Sequence, residues 1–550
     1  MSSRPYKRQA QVGQWHDTRA AYTRRRPRLN SDCVLVIMEF LKHSSAASYL
    51  ANLMLVCKEY HFLGMPFYVN HPQVYTRKYS EKSIRTWHWF LSRRYTVDRL
   101  RSDLVLDIII YRPNLPDRPR DLPPLQFSTI VSLLKDRKDR LRSLTLTDIE
   151  ELFLLDTEGD LFNAIKSLRA LQTFHITCGY ARTLELLRVL EAPVRRLQIE
   201  FIDRIIWPVP AINMDMIGAL SRHSNSLTTI DFSGSYCEVV HSPRTVLPLV
   251  RDLRLTVSNV GSMWDTLRCF PNLSSLQLRF RSFQFSVQSS VYQTVDDYQA
   301  AKRSRERARE CNYSFPHLQR LDGDINLLWA LGLQQPLKCL RVTHLSYMGE
   351  MLRREMKSEM MRQLLEVMKD LCSTPISTHL GLSLRCWVLT SDDDSRPVDR
   401  KVLSKNFRDL IRSMPYVEVI DFTLVGMGKG IDSFDLLYDT FCDSLKYKLK
   451  SLNGVRGKSP KDFLDINMQI RPLPYEYFDD KQSKKAYHDS ATPHQRARPI
   501  MASCPKLRFL RLEIMKMDMI IQQGNYIVYT WDGKKQWTFQ EPYFKRHIRL

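Results

Sequence analysis

The sequence predicts an α/β fold in which short parallel strands alternate with helices and stack side by side into one curved sheet. Three observations predict it. A six-residue pattern recurs along the chain, helical segments separate its copies, and proline often precedes the pattern. A single strand–helix unit cannot cover its own apolar face, so neighbouring units must cover it.

The recurring pattern is an aliphatic residue, two variable residues, an apolar residue, one variable residue and a final apolar residue. Its copies are LRSLTL (141–146), LQTFHI (171–176), VRRLQI (194–199), LTTIDF (227–232), VRDLRL (250–255), LSSLQL (273–278), VEVIDF (417–422) and LRFLRL (507–512). Alternate side chains of an extended segment share a face, which predicts a short strand with one buried side. The prolines that stop the preceding helices are Pro193, Pro248, Pro271, Pro415 and Pro505.

Helical patterns lie between these strands. They are RTLELLRVLEA (182–192), SMWDTLRCF (262–270), MMRQLLEVMKDL (360–371) and FDLLYDTFCDSL (434–445). One helix and one strand in about 20–45 residues is typical of leucine-rich repeats. We therefore predict a leucine-rich-repeat solenoid over residues 78–545, with its helices outside a curved parallel sheet. Unrelated parallel strands in an ordinary α/β sheet are the alternative, which the recurring pattern disfavours.

Two segments interrupt the repeat. Residues 281–313 contain the charged stretch DDYQAAKRSRERARE (296–310), and residues 456–500 contain few aliphatic residues. Both are predicted to be surface insertions with partial disorder. Near the end of the chain, NYIVYTWDGKKQWTFQ (525–540) has Asp-Gly between two aromatic runs, which predicts a β-hairpin that caps the last repeat.

A glycine-rich loop, GMGKG (426–430), follows a strand and precedes a helix, as in nucleotide-binding folds. A P-loop requires serine or threonine after its lysine, whereas Gly430 follows Lys429 here. The G-x-G-x-G spacing also differs from the dinucleotide fingerprint. The loop is therefore predicted to be a turn whose glycines permit positive φ, and not a nucleotide site.

No catalytic or metal-binding motif is recognisable in the sequence. The sequence has no H-E-x-x-H, no C-x-x-C and no G-x-S-x-G. Because catalysis needs a focused set of groups, we expect a non-enzymatic protein without a metal or cofactor. The eleven cysteines are scattered singly, which indicates reduced core residues in a cytosolic or nuclear protein.

The chain of 550 residues carries a formal net charge of +23, and such a charge attracts polyanions. No stretch approaches twenty uninterrupted apolar residues, so no membrane-spanning helix is predicted. Residues 1–28 are polar and basic, without the apolar core of a secretory signal, and are predicted to be a disordered tail. Its segment RRRPR (24–28) fits a nuclear-import signal, so we expect the protein in the cytoplasm, the nucleus or both.

Residues 29–72 differ in kind from the repeats, because they contain two short amphipathic helices. Ser31 and Asp32 can cap the first helix. Its apolar residues at helical spacing are Val34, Ile37, Met38 and Leu41, and those of the second helix are Leu50, Leu53, Met54 and Cys57. Such short helices bury little surface alone. The module must therefore pack on the repeats as a cap or on a partner.

The run LMLVCKEYHFLGMPFYV (53–69), together with the leucine and isoleucine positions before it, resembles an F-box followed by leucine-rich repeats, as in many fungal proteins. Asn30 stands where that family usually has proline. The resemblance implies a substrate receptor whose partners are a Skp-type adaptor, a cullin scaffold of a ubiquitin ligase and an unknown protein substrate. The implied adaptor-binding residues are Leu29, Ile37, Leu41, Leu53, Val56 and Cys57.

On the concave face of the predicted sheet the charges are mixed rather than basic. A local positive run comprises Arg254, Arg279, Arg281 and Arg341, which we take as candidate target-binding residues for an acidic or phosphorylated target. Two alternatives remain, a repeat scaffold without an adaptor and a nucleic-acid-binding protein. The lack of an aromatic and basic stacking platform disfavours nucleic acid.

Overall fold

The structure is a computed structural model of the chain. It describes residues 33–34, 36–38, 47–54, 73–74, 94–96, 99–100, 107–110, 128–201, 215–234, 245–257, 263–280, 295–344, 350–385, 389, 400–425, 434–445, 465–471, 500, 504, 506–518, 523–531 and 537–540. The chain divides into two compact units, Met1–Pro72 and Gln73–Leu550, which are described separately below.

The first unit is helical where it is described. Helix α1 spans Ala47–Met54, and residues 33–34 and 36–38 are also helical. Val34, Met38 and Met54 are buried, as expected for one apolar stripe on each helix.

The second unit contains eighteen described strands, and sixteen of them form one large sheet. The strands are β1 Gln73–Val74, β2 Arg94–Thr96, β3 Arg99–Leu100, β4 Asp107–Ile110, β5 Ser143–Leu146, β6 Thr173–Gly179, β7 Arg196–Phe201, β8 Thr229–Gly234, β9 Asp252–Val257, β10 Ser275–Phe280, β11 Arg320–Asp324, β12 Cys339–His344, β13 His379–Arg385, β14 Val419–Val425, β15 Asp465–Arg471, β16 Phe509–Asp518, β17 Gln523–Trp531 and β18 Trp537–Gln540. Strands β2 and β3 form a separate antiparallel pair.

The strand order of the large sheet follows the chain, from β1 and β4 through to β18. The thirteen pairings from β1 to β16 are parallel. Strands β16, β17 and β18 are antiparallel, which confirms the predicted hairpin near the end of the chain. Among the described strands β1 and β18 lie at opposite ends of the sheet, so the sheet is open. The predicted α/β class with an open parallel sheet is confirmed.

Helices connect successive strands. In the second unit they are α2 Ser128–Asp136, α3 Ile149–Leu155, α4 Asp160–Lys166, α5 Ala181–Val189, α6 Met216–Ala219, α7 Met263–Leu267, α8 Val295–Glu310, α9 Ile325–Leu331, α10 Glu350–Cys372, α11 Arg400–Arg412 and α12 Phe434–Leu445, with a 3₁₀ turn at Ser221–His223. Among the described helices, none is both long enough and apolar enough to cross a membrane.

The apolar positions of the six-residue pattern form two buried rows across the sheet. The first row is Ile108, Leu144, Phe174, Leu197, Ile230, Leu253, Leu276, Leu321, Leu340, Leu380, Ile420, Ile466 and Leu510. The second row lies two residues further along each strand. Because in-register neighbours are about 4.8 Å apart, the buried side chains of each row lie beside their equivalents on adjacent strands, and the core runs along the sheet.

The second buried row contains one glycine, Gly323 on β11. A Cβ atom there would lie 2.9 Å from Leu328 Cδ2 of helix α9, so α9 packs unusually close to the sheet. The Asp324 carboxylate caps this helix by accepting a hydrogen bond from the Asn326 N–H at 3.1 Å. The helix ends at Gly332, whose φ of 63° is the left-handed conformation that favours glycine.

Helix α8 differs from the expected surface insertion over 281–313. Its residue Arg305 is only 5 % exposed. The Arg305 guanidinium donates to the Asp370 carboxylate at 2.6 Å and to the backbone carbonyl of Trp329 at 2.7 Å. It also lies 5.2 Å from the Trp329 ring centroid. The charged sequence thus forms a helix that is tied to α9 and α10 through a buried arginine.

Strand β15 also differs from expectation, because it lies within residues 456–500, the second predicted insertion. It continues the sheet between β14 and β16, with Ile466 and Met468 buried. Apart from Ile500, the rest of that segment and the glycine loop 426–430 fall outside the described residues.

Candidate binding face

The strand residues that alternate with the buried rows form the open face of the sheet, which we define by one register row. That row is Thr145, His175, Gln198, Asp231, Arg254, Gln277, Asp322, Arg341, Gly381, Asp421, Asn467 and Arg511. A groove with a volume of about 930 Å³ runs along this face from β6 to β14. A groove formed by equivalent positions of many strands suits an extended contact with another macromolecule.

The groove is electrostatically mixed. Its basic lining residues are Arg196, Arg254, Arg320, Lys338 and Arg341, and its acidic ones are Asp231, Asp252, Asp322 and Glu418. The net charge of +23 is therefore not concentrated here. A surface with interspersed charges favours a partner of complementary pattern over a simple polyanion.

The open face repeats one arrangement of side chains. Gln198, Asp231 and Arg254 occupy three consecutive strands in register. Gln277, Asp322 and Arg341 occupy the next three. With strands about 4.8 Å apart, the two arginines are separated by roughly 14 Å along the sheet. Equivalent groups are thus presented twice at a fixed spacing.

The aspartates of these two triplets are held by their neighbours. Arg254 Nη1 lies 3.4 Å from Asp231 Oδ2, and Gln277 Nε2 donates to Asp322 Oδ2 at 3.1 Å. Burial raises the pKa of Asp322, and the charges of Arg341, Arg279 and Arg254 oppose this rise. These arginines therefore stabilise a carboxylate in a partly dehydrated position.

A third polar group follows on β13 to β15. His379 Nε2 donates to Asp421 Oδ2 at 3.0 Å, and Asn467 Nδ2 donates to Asp421 Oδ1 at 3.3 Å. The hydrogen bond from His379 lowers the pKa of Asp421, and the hydrogen bond from Asn467 and the charge of Arg341 act in the same direction. Asp421 is therefore a fixed negative charge with both oxygens engaged.

The structure brings together three of the four predicted target-binding arginines. Arg254 and Arg341 are exposed in the defining row, and Arg279 is exposed two residues after Gln277 on β10. Arg281 lies outside the described residues. The prediction omitted Gly381, His379 and Asn467, because their strands follow the six-residue pattern only loosely. The signal for His379 and Gly381 is the alternation in THLGLSL (378–384).

Two of the six predicted adaptor-binding residues can be placed in the first unit. Ile37 is 40 % exposed and Leu53 is half-buried. Leu29, Leu41, Val56 and Cys57 lie outside the described residues. Val36 and Tyr49, which were not predicted, are 67 % and 66 % exposed. The described helices of this unit thus leave several large apolar side chains in contact with water.

The described cysteines are thiols and not disulfides. Cys269, Cys372, Cys442 and Cys504 are buried, as expected for core residues, whereas Cys33 and Cys311 are exposed. In the described part of the chain, no group of three His, Cys, Asp or Glu side chains is arranged to hold a metal ion.

Comparison of the chain with models of known protein families gives no match. Comparison with curated protein sequences gives no significant match either. Any assignment of function therefore rests on the residues and their geometry.

Proposed function

We propose that this protein is a non-enzymatic substrate receptor that links a target protein to a cullin-type ubiquitin ligase. In this proposal residues 29–72 form an F-box that binds a Skp-type adaptor. The strand–helix units of the second unit form a leucine-rich-repeat solenoid that binds the target. The strand–helix order, the two buried rows and the open parallel sheet support the solenoid assignment.

The exposed apolar side chains of the first unit are the observation on which the adaptor assignment rests. Val36, Ile37 and Tyr49 lie on its described helical segments. Exposure of large apolar side chains costs free energy unless a partner covers them. Apolar and aromatic residues that lose water on docking are also typical of binding hot spots. In an F-box, this is the chemistry that an adaptor surface requires.

The adaptor assignment is tested by purifying the tagged full-length protein from cells and quantifying the co-purified Skp-type adaptor and cullin. Ile37→Asp places a charge in the proposed contact and should abolish recovery of both subunits. The matched control is Ile376→Asp, which charges an exposed aliphatic residue of the second unit and should leave recovery unchanged. Failure of the unsubstituted protein to recover the adaptor would favour a repeat scaffold without a ligase role.

We propose that the target binds the open face. The predicted target-binding residues Arg254, Arg279, Arg281 and Arg341 would contact acidic or phosphorylated groups of the target, while the interspersed aspartates would exclude partners with the wrong charge pattern. Loss of target recovery with full adaptor recovery, on alanine substitution of these arginines, is the expected result. RNA or DNA binding to this face with a steep salt dependence would instead favour the nucleic-acid alternative.

We also propose that the protein acts in the nucleus, the cytoplasm or both. The basic segment RRRPR (24–28) supports nuclear import. Its residues lie outside the described part of the chain, so this proposal rests on sequence alone. Replacing its four arginines with alanine should shift a fluorescently tagged protein towards the cytoplasm.

A further inference from the structure

Basic residues collect at one edge of the sheet, where the chain enters strands β5 to β9. We call this the basic edge and define it as residues 137–142, 166–172, 191–196, 222–229 and 251–252. It contains ten Lys or Arg residues and three Asp or Glu residues. The basic edge is therefore far more positive than the open-face groove beside it.

Backbone hydrogen bonds show that these segments are adjacent. The N–H of Gln172 donates to the carbonyl of Arg142, and the N–H of Arg195 donates to the carbonyl of Gln172, each at 2.8 Å. The ladder continues through Thr228, which donates to Arg195, to Arg251, which donates to Thr228. An arginine thus precedes every second strand, with a spacing of about 10 Å. These residues are Arg142 before β5, Arg195 before β7 and Arg251 before β9.

Some of these cations are already engaged. Arg169 lies 3.8 Å from Asp139 and 3.4 Å from Glu191, and Arg251 Nη1 donates to the carbonyl of Asn272 at 2.9 Å. By contrast, Lys138, Arg142, Arg195 and Arg196 are exposed. Within the described residues, these four side chains have no carboxylate within ion-pair distance. Because they are exposed, an external anion can reach them.

At the opposite edge of the sheet, where the chain leaves the strands, the residues that follow β5 carry negative charge. Residues 147–160, which follow β5, contain six Asp or Glu residues and no Lys or Arg. Charges of opposite sign therefore lie at the two ends of β5. Such a separation orients an approaching charged partner towards one edge.

Two exposed aliphatic residues decide which class of anion fits the basic edge. Val246 is 48 % exposed and Leu249 is 42 % exposed. Their segment is fixed beside Arg251, because Asn272 Nδ2 donates to the carbonyl of Pro248 at 2.9 Å and Arg251 contacts the same asparagine. The basic edge contains no Phe, Tyr or Trp, so it has no platform on which bases could stack.

We infer that the basic edge docks an acidic, partly apolar peptide segment of a protein partner. Acidic side chains pair with Arg142, Arg195 and Arg196, and an apolar side chain covers Val246 and Leu249. Three residues of a polyproline II segment span about 9 Å and return the side chain to the same face, so glutamates at every third position match the arginines on alternate strands. This surface lies in the second unit and contains no member of the open-face row, although it shares Arg196, Thr229 and Asp252 with the edge of the open-face groove.

The probe is a fluorescein-labelled synthetic peptide of about fifteen residues, with glutamate at every third position and leucines near one end. Its binding to the full-length protein is measured by fluorescence anisotropy at several salt concentrations. Arg142→Glu, Arg195→Glu and Arg196→Glu combined should weaken binding by about tenfold or more and flatten the salt dependence. Val246→Ser with Leu249→Ser should weaken binding of this peptide but not of one whose leucines are replaced by serine.

The control reverses an equal number of charges elsewhere, at Lys302, Arg303 and Arg307, which are exposed on α8. It should change the affinity by less than about twofold. Equal weakening by both triple variants, or absence of peptide binding, would overturn the proposal. Tighter binding of an oligonucleotide of equal charge, lost in the same edge variant, would overturn the choice of a peptide. Circular dichroism and the thermal midpoint verify that each variant folds.

Discussion

The side chain of Arg341 on β12 lies across Gly381, its in-register neighbour on β13. A Cβ atom on residue 381 would lie 3.1 Å from Arg341 Cγ and 3.2 Å from Arg341 Nε. The absent side chain therefore gives the arginine room to lie along the open face. Glycine is needed here for close approach and not for an unusual backbone conformation.

Gly381→Leu should displace Arg341 and reduce target binding, since the larger side chain occupies the space of the arginine stem. Arg341→Ala should remove the same subset of co-purified proteins. The measurement is quantitative mass spectrometry of proteins recovered with the full-length chain. Arg268→Ala is the control, because Arg268 lies on the helical layer, 4.3 Å from the Tyr313 ring centroid. Unchanged recovery in both variants would contradict a target-binding role for Arg341.

The buried ion pair between Arg305 and Asp370 predicts a large loss of stability on one-sided substitution. Asp370→Asn leaves a buried guanidinium without its closest carboxylate and should cost about 3 kcal/mol of unfolding free energy. Asp409→Asn removes an exposed pair with Arg412 at 3.9 Å and should cost less than about 0.5 kcal/mol. Urea unfolding compares the two. Similar costs for both would contradict the buried position of Arg305.

Three phenylalanines join β14 to the helices on either side of it in the chain. The ring centroids of Phe407 and Phe422 are 6.0 Å apart, and those of Phe422 and Phe441 are 5.4 Å apart. Phe422→Ala should cost about 3–5 kcal/mol, because the loss of transfer free energy adds to a cavity. Phe422→Leu should cost less than half as much. Equal midpoints for the wild type and Phe422→Ala in urea would show that this packing is absent.

His223 predicts a pH dependence of stability. Burial lowers its pKa from 6.5, the charge of Arg222 acts in the same direction, and its hydrogen bond to the Leu187 carbonyl opposes them. Below pH 6.5 the unfolded chain therefore binds more protons than the folded chain, so stability falls with acidification until the lowered folded pKa is reached. The slope for one group is at most about 1.4 kcal/mol per pH unit.

His223→Gln keeps a hydrogen-bond donor but does not titrate, so its stability should fall less steeply than that of the wild type below pH 6.5. Comparing the two proteins at several pH values cancels the contributions of the other histidines. Parallel curves would contradict the buried, neutral state of His223.

The rate of alkylation by iodoacetamide should distinguish exposed cysteine thiols from buried ones. Burial raises the pKa of Cys372 to about 12, which removes the reactive thiolate at neutral pH, whereas Cys311 is exposed. Iodoacetamide should therefore modify Cys311 in the native protein and Cys372 only after unfolding. Peptide mass spectrometry measures both sites in one sample. Comparable native rates at the two cysteines would contradict the burial of Cys372.

The sequence predicted the parts of the fold that depend on repeated apolar side chains. Leu253, Leu276 and Ile420 lie in one buried row because the same pattern recurs at equivalent positions. Helix α8 was not predicted, because its inner face carries Arg305 rather than an aliphatic residue. Its burial depends on Asp370, which is distant in sequence, and no local pattern contains that information.

The open-face site was predictable only in part for a similar reason. The alternation within each strand identifies Arg254 and Arg341 as outward-facing residues. Their division into triplets depends on the register between strands, and the pairing of His379 with Asp421 depends on side chains 42 residues apart. These relationships appear only when the strands are aligned.

Hydrogen–deuterium exchange on the full-length protein, with and without a purified Skp-type adaptor, tests the central proposal most directly. We predict protection of the helical segments that contain Val36, Ile37 and Tyr49, with unchanged exchange in strands β6 to β14. Absence of protection in the first unit at saturating adaptor, or protection confined to the open face, would contradict a receptor that binds the ligase through one unit and its target through the other.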